Sequence, residues 1–358
     1  MLHLLRVAAD PDGFVPFDRF MEVALYADGV GYYHGSSSPL GTAGDFYTAA
    51  HVDPLFSESL AHRILEVRAA VEKPHGFAVV ELGPGDGTLA TGLLRALAPS
   101  GTIAEYVLVD RSPARARESA SRVEAGGSAV PVRTAPSLAA LGPVTAVVVA
   151  NELLDAQPVR RLQWEGSAWR ELGIRVVGDR VQAAVGGEAR SVPGPPLPSD
   201  PIDGLIVEVS PMAEGIVRET ADHLEDGTAI LLDFGEEESE LVHAHPGGTL
   251  AAVRAHRSVA DPLAHPGAAD LSTFVNFSRI RSVARTSGMV ELAYRSQAES
   301  LGAWGFESLR SRALAATPDA ETRVRRQLAA KNLLFGFERF RVLELAPSGT
   351  AGRLGPAR

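Results

Sequence analysis

The stretch Glu81-Leu82-Gly83-Pro84-Gly85-Asp86-Gly87 limits the folds open to this chain more than any other, because an apolar run (77–82) leads into it and a helix-patterned run (88–97) leaves it. In such a strand, turn and helix the glycines let the backbone turn sharply and approach a ligand, while free N–H groups at the helix start face a negative group. Spacing narrows the ligand. A dinucleotide fingerprint, G-x-G-x-x-G, needs a third glycine at position 88; that position holds Thr88, and the third glycine is Gly87. Further on, at about the twenty-residue distance where nucleotide folds carry a sugar-binding acid, the strand pattern 105–109 runs into Asp110, whose carboxylate can accept both ribose hydroxyls. Each sign alone has a plain structural alternative, a tight strand-to-helix connection or a helix N-cap. Together they predict a mononucleotide-type cofactor site.

Strand and helix patterns then alternate over 77–82, 88–97, 106–110, 113–123, 130–133 and 144–150. This predicts an α/β fold with a doubly wound parallel sheet, right-handed crossovers and a ligand at the carboxyl ends of the strands. The fourth strand delivers Asn151, Glu152 and Asp155 to that edge, beside the expected reactive end of the cofactor. Residues 1–76 read as an N-terminal cap, with a helix over 17–26 and a polar, Gly-rich segment (41–48) suited to a lid. Residues 77–235 read as the cofactor-binding core with a β insertion at about 159–200, and 236–358 as a substrate-side loop followed by completion of the sheet. Ser210 and Pro211 read as N-cap and first residue of an amphipathic helix, and the tail after Ala346 as frayed.

A formal net charge of −10 argues against a broad phosphate-binding surface, so nucleic acid is not an expected partner. With no cysteine, disulfides, thiolate metal sites and a cysteine nucleophile are excluded. The scattered histidines, His243, His245 and His256 among them, lack the spacing of a metal pair, and no metal site is expected. No stretch is apolar enough to span a bilayer, and the acidic N-terminal residues fit neither a secretory nor a transit segment. The expectation is a cytoplasmic protein without a membrane partner.

Motif by motif, the chain resembles the MidA family of class I S-adenosyl-L-methionine-dependent methyltransferases, which includes a mitochondrial complex I assembly-factor arginine methyltransferase. The resemblance rests on Gly31-Tyr32-Tyr33, Gly44-Asp45-Phe46-Tyr47-Thr48, Glu81 to Gly87, Asn151 to Ala156, Glu208-Val209-Ser210-Pro211, Leu232-Asp233-Phe234-Gly235 and the run from Asp261 to Ser272. It implies a seven-stranded Rossmann-like sheet with a helical cap and an inserted substrate lobe. It also implies S-adenosyl-L-methionine at Glu81, Gly83, Gly85, Gly87, Asp110 and Asn151, with Asp45 and Thr48 closing from the cap and Ser137 and Leu138 beside the adenine. Where the family carries a histidine and, two residues later, an aspartate, this chain has Phe274 and Asn276; either the acceptor differs or activity is reduced.

An arginine acceptor, the family expectation, is always protonated, with a pKa above about 12. Carboxylates can grip its guanidinium bidentately, and Glu152, Asp155 and Glu208 are the candidates. Their plain alternatives are a helix cap for Asp155 and a surface ion pair for Glu208. Two other functions stay open: methylation of a peptide or small natural product in a pocket lined by Phe274, Trp164 and Trp169, and a non-catalytic assembly factor with a vestigial cofactor site. The acceptor is thus a protein, a peptide or a small molecule, and a homodimer is compatible with the sequence.

Overall fold

Short runs that are largely apolar make strands covered on both faces, and such runs build the middle of this protein, whereas the edge strand Val132–Ala135 is half exposed. The computed structural model describes residues 1–34, 48–72, 76–189, 191–255 and 257–355. The central strands are β1 (Ala78–Leu82), β2 (Glu105–Val109), β3 (Val132–Ala135), β4 (Val144–Asn151), β5 (Leu224–Glu236), β6 (Met289–Ser296) and β7 (Phe340–Pro347). They lie in the order β3-β2-β1-β4-β5-β7-β6, and the two-residue strand Val275–Asn276 adds to the end of β5. All neighbours from β3 to β5 are parallel, whereas β7 runs antiparallel to both β5 and β6.

The period of two divides the sheet's side chains between two helix layers. Val79, Leu108, Val147, Val149 and Ile230 meet the helices Leu55–Ala70, Thr88–Leu97, Gln297–Ala303 and Ala320–Phe335 on one face. Val80, Val107, Val148 and Leu231 meet Pro211–His223 and Phe277–Thr286 on the other. Ser210 caps the first of these, accepting from the Ala213 N–H at 3.1 Å, as its Ser-Pro start predicts.

A second lobe joins distant parts of the chain. The insertion strands Arg160–Glu165, Ala168–Val177 and Arg180–Glu188 are extended by Ile206–Val209 and by Phe14–Pro16, whose Val15 pairs with Ile174. Helix Phe17–Tyr26 closes a third core of Val15, Phe20, Met21, Leu25 and Ile174 over that sheet. The polar region after β5 holds helix Glu238–Ala244 and a small sheet that includes Asp270–Ser272. The tail departs from expectation, since Ser348–Leu354 is helical. Its Thr350 hydroxyl and Arg353 guanidinium both donate to Asp226, and this neutralising contact holds the segment in place. Among the described residues no helix is long and apolar enough to cross a membrane.

Candidate active site

A glycine-built turn caps β1. Gly83 has φ +67°, its N–H donates to the Val109 carbonyl at 2.9 Å, and an added Cβ would sit 2.7 Å from Leu153 Cδ1. That contact and conformation exclude side chains at the point where backbone faces open space. Gly87, at φ +82°, stands at the N-cap of helix Thr88–Leu97, and the Ser119 hydroxyl donates to the Gly85 carbonyl at 2.6 Å. The cap is tied to this turn: His51 Nδ1 accepts from the Thr48 N–H at 3.3 Å, while Nε2 lies 3.2 Å from Asp86 Oδ2. Burial alone would raise Asp86, but hydrogen bonds from His51 and Thr88 outweigh it and bring the carboxyl down to about 2.

A cavity of about 580 Å³ opens above the turn, over the carboxyl ends of β1 to β4 and across the point where strand order reverses between β1 and β4. On its β2–β3 side Asp110 accepts from the Ser112 N–H at 2.8 Å, and its other oxygen lies 3.7 Å from Arg115 Nε. Ser112, not Asp110, caps the next helix, which leaves Asp110 in the cavity wall. Ser137 and Leu138 lie beside it, facing Met212 and Ile216 of helix Pro211–His223. Glu219 fastens that helix to the loop by accepting from the Ala139 N–H at 2.7 Å. Beneath the turn, burial pushes the Glu81 carboxyl up to about 8 against the Tyr106 hydroxyl, which donates to it at 2.6 Å.

The β4–β5 side is acidic. Glu152 adopts φ +52°, a strained conformation for a residue with a side chain, while its own N–H donates to the Leu232 carbonyl at 2.9 Å. It touches the cavity but is enclosed on its other sides, so burial first and neighbouring Asp233 second push it up to about 8. Asp155 is raised well above the ordinary carboxyl range by burial and by Asp233, Asp270 and Glu152. Asp233, 1 % exposed, accepts from the N–H groups of Leu153 (3.1 Å), Leu154 (2.7 Å) and Phe234 (2.9 Å). Burial lifts it to about 6 against those bonds. Asp270 accepts from the Tyr33 hydroxyl at 2.7 Å, and the Tyr26 hydroxyl donates to the Ala156 carbonyl at 2.9 Å. The two phenol rings stack at 5.4 Å, and the Arg111 guanidinium covers Tyr26 at 3.9 Å.

The cavity wall therefore contains Thr48, Glu81, Gly83, Gly85, Asp110, Ser137, Leu138, Asn151, Glu152 and Asp155 of the expected residues. Gly87 supports the turn from behind, and Asp45, with the rest of 41–47, lies outside the described residues. Glu208 departs from expectation. It sits in the second lobe opposite Arg161 in strand register, accepting from that guanidinium at 3.0 Å and from the N–H groups of Thr249 and Leu250. Opposite charges facing across two strands pair with one another, and the carboxylate is thereby used in structure. Asp155 caps no helix; its carbonyl accepts from the Thr273 N–H at 3.0 Å.

Phe274 packs on Phe234 at 4.2 Å, and Asn276 caps helix Phe277–Thr286, so neither belongs to the large cavity's wall. Trp164 and Trp169 face each other at 5.3 Å in their hairpin, also away from it. Sequence reasoning missed Tyr26, Tyr33, His51, Asp86, Arg111, Met212, Asp233 and Asp270 as parts of the site. Tyr33, Asp86, Asp233 and Asp270 stood within the recognised motifs; Tyr26 and Arg111 carried no signal.

A glycine cradle closed to side chains, a carboxylate one strand away and a cavity within the size range of small-ligand sites, about 300–1,000 Å³, fit an adenosyl cofactor. With the single antiparallel strand β7, these features define a class I methyltransferase fold. Residues 59–295 match the family described as S-adenosyl-L-methionine-dependent methyltransferase, and the chain belongs to that family.

A crystal structure of a protein from Burkholderia thailandensis bound to S-adenosyl-homocysteine superposes with a TM-score of 0.84 at 32% identity, covering 98% of this chain and 93% of that one. The protein arginine methyltransferase NDUFAF7 homolog, mitochondrial, of Drosophila melanogaster is 29% identical over 321 residues, 80% of this chain and 70% of the fly protein. The Homo sapiens NDUFAF7 is 26% identical over 318 residues, 80% and 69% of the two chains. The protein is thus an enzyme that uses S-adenosyl-L-methionine. The cytoplasmic expectation is corrected by these relatives, which are named mitochondrial.

Proposed function

We propose that this methyltransferase modifies a protein side chain, the guanidinium of an arginine, at the acidic end of the cavity. The observation that carries the reading is the convergence of Glu152, Asp155 and Asp270 on one stretch of wall beside Tyr26 and Tyr33. When bound, S-adenosyl-L-methionine supplies an electrophilic methyl group on its sulfonium. Gly83, Gly85 and Asp110 hold the nucleoside, Ser137, Leu138 and Met212 flank its base, and Glu81, Asn151 and Thr48 enclose the other end.

The chain's task is then positional, since methyl transfer by in-line displacement needs nucleophile, carbon and sulfur aligned. Carboxyl groups whose surroundings favour the neutral form become charged when a guanidinium arrives, because an adjacent positive charge favours the ionised state. Glu152 and Asp155 can then grip it and localise its charge away from the attacking nitrogen. The relatives, which are protein arginine methyltransferases by name, support this acceptor. The small-molecule reading loses its support because Phe274, Trp164 and Trp169 are absent from the cavity wall.

The test is incubation with methyl-labelled cofactor and cell lysate, followed by acid hydrolysis of the protein fraction. Label is expected in methylated arginine. Label confined to small molecules would overturn the arginine acceptor.

A further inference from the structure

Behind the acceptor wall stands a carboxyl pair that gripping a guanidinium does not require. Asp233 lies near the carboxyl end of β5 with its side chain fixed by three backbone N–H groups, those of Leu153, Leu154 and Phe234. The Asp155 carboxyl follows directly on Leu153 and Leu154, whose N–H groups hold Asp233, and it is raised by burial and then by this neighbouring carboxylate. Two carboxyl groups in such proximity share one proton. Three donors aimed at Asp233 keep that group as the acceptor, so the shared proton belongs to Asp155. Asp155 itself faces the cavity, whereas Asp233 does not. Among the described residues, Glu152 on its own loop, Asp270 from the small sheet, and Tyr26 and Tyr33 from the N-terminal region also act on this group, and the nearest cations, Arg111 and Arg115, lie over the rings of Tyr26 and Tyr33.

Methylating a guanidinium releases a proton, and the structure assigns its destination. We propose that Asp155, oriented by Asp233, is the base that receives the proton leaving the methylated nitrogen. This rests on the arginine reading above. With the site empty Asp155 holds a proton and donates it to Asp233; arrival of the cationic acceptor favours release of that proton to solvent. The attacking nitrogen's electron pair then forms the N–C bond, and the S–C bond breaks with its pair left on sulfur. The nitrogen's N–H proton passes to Asp155, which regains its hydrogen bond to Asp233. An ordinary carboxylate is a weak base at neutral pH, whereas one beside a fixed negative neighbour binds protons in the range where a general base works best. Asp233 is a positioning residue in this scheme and touches no reactant.

Labelled methyl transfer into lysate arginine is followed from pH 6 to 9 for the wild type, Asp155→Asn and Asp233→Asn, with cofactor affinity of each measured by calorimetry. Asp155→Asn is expected to lower the rate about 100-fold or more with cofactor affinity within about threefold of wild type. Asp233→Asn removes the negative neighbour, so the rise of rate with pH moves to lower pH and the plateau falls about tenfold. Infrared spectra of the ligand-free proteins at neutral pH provide a readout independent of turnover. Glu81 and Glu152 also contribute protonated-carboxyl absorption at this pH, so the expected change is the loss of the Asp155 component from that absorption in either variant. Wild-type protein that labels no arginine overturns the acceptor reading and this assignment with it. Labelling with wild-type rates and pH profiles in both variants overturns this assignment alone, as does a carboxyl band unchanged by either substitution.

Discussion

The two ends of the cavity are built in different ways. At the nucleoside end, one continuous turn and Asp110 form the wall, and the contacts offered are mostly backbone. At the acidic end, side chains from positions 26, 33, 152, 155 and 270 meet, backed by Asp233, and each needs a partner fixed by the fold. A backbone cradle tolerates change around it but no side chain within it; an acidic cluster depends on every neighbour that sets its charge. Substitutions at the two ends should therefore fail differently.

The largest separation is expected from Gly83→Val. Its branched side chain would need a positive φ and would collide with Leu153, so cofactor affinity should fall at least about 100-fold, roughly 3 kcal/mol. Titration calorimetry with S-adenosyl-L-methionine reads this directly. Asp155→Asn, measured in parallel, should leave that affinity nearly intact, and equal losses from both would erase the division. Next in size is Asp110→Ala. Loss of hydrogen bonds from ligand hydroxyls to a charged acceptor costs about 1.5–3 kcal/mol, a drop of about ten- to 100-fold in cofactor affinity. A loss below threefold would remove Asp110 from the ribose contact.

This contrast also explains what could be read before the structure. The glycine turn announces itself because its conformational demand falls on adjacent residues, and the parallel sheet because its inner strands are almost continuously apolar. Period and spacing carry both. Glu208 misled because a strand-end carboxylate looks the same in sequence whether it faces a cavity or an arginine; only the register opposite Arg161 decides. Tyr26 lies on a helix whose apolar face packs on the second lobe, and its approach to Ala156 depends on how that lobe closes. The tail looked frayed because one threonine and one arginine, meeting Asp226 from over a hundred residues away, leave no local pattern.

A smaller effect should appear in the pH dependence of stability. Glu81 lies beneath the glycine turn and Glu152 in the acidic wall, and both are raised from 4.5 to about 8, chiefly by burial. Between those values the folded protein keeps protons that the unfolded chain has released, so stability present in full below 4.5 declines as pH rises through about 8. Thermal melts of the ligand-free protein should fall by several degrees from pH 5 to 8.5, and Glu152→Gln should flatten part of that slope. Saturation with S-adenosyl-homocysteine should raise the curve by mass action without removing the Glu152 contribution, since that group belongs to the acceptor end. A slope of the opposite sign would mean that both carboxylates are already ionised in the fold.

The least functional effect is expected at Glu208. Glu208→Gln keeps an acceptor for Thr249 and Leu250 but removes the charge facing Arg161, whose side chain is only 16% exposed. Stability should drop by about 1–3 kcal/mol, the cost of leaving a partly desolvated charge without its partner. Cofactor affinity and methyl-transfer rate should both stay within about twofold of wild type, because no Glu208 atom belongs to the large cavity's wall. The mirror substitution Arg161→Met should cost stability to a similar extent and leave the same two quantities unchanged. A hundredfold loss of rate in Glu208→Gln with stability preserved would instead put this carboxylate in contact with the acceptor and merge the second lobe with the acidic end of the cavity.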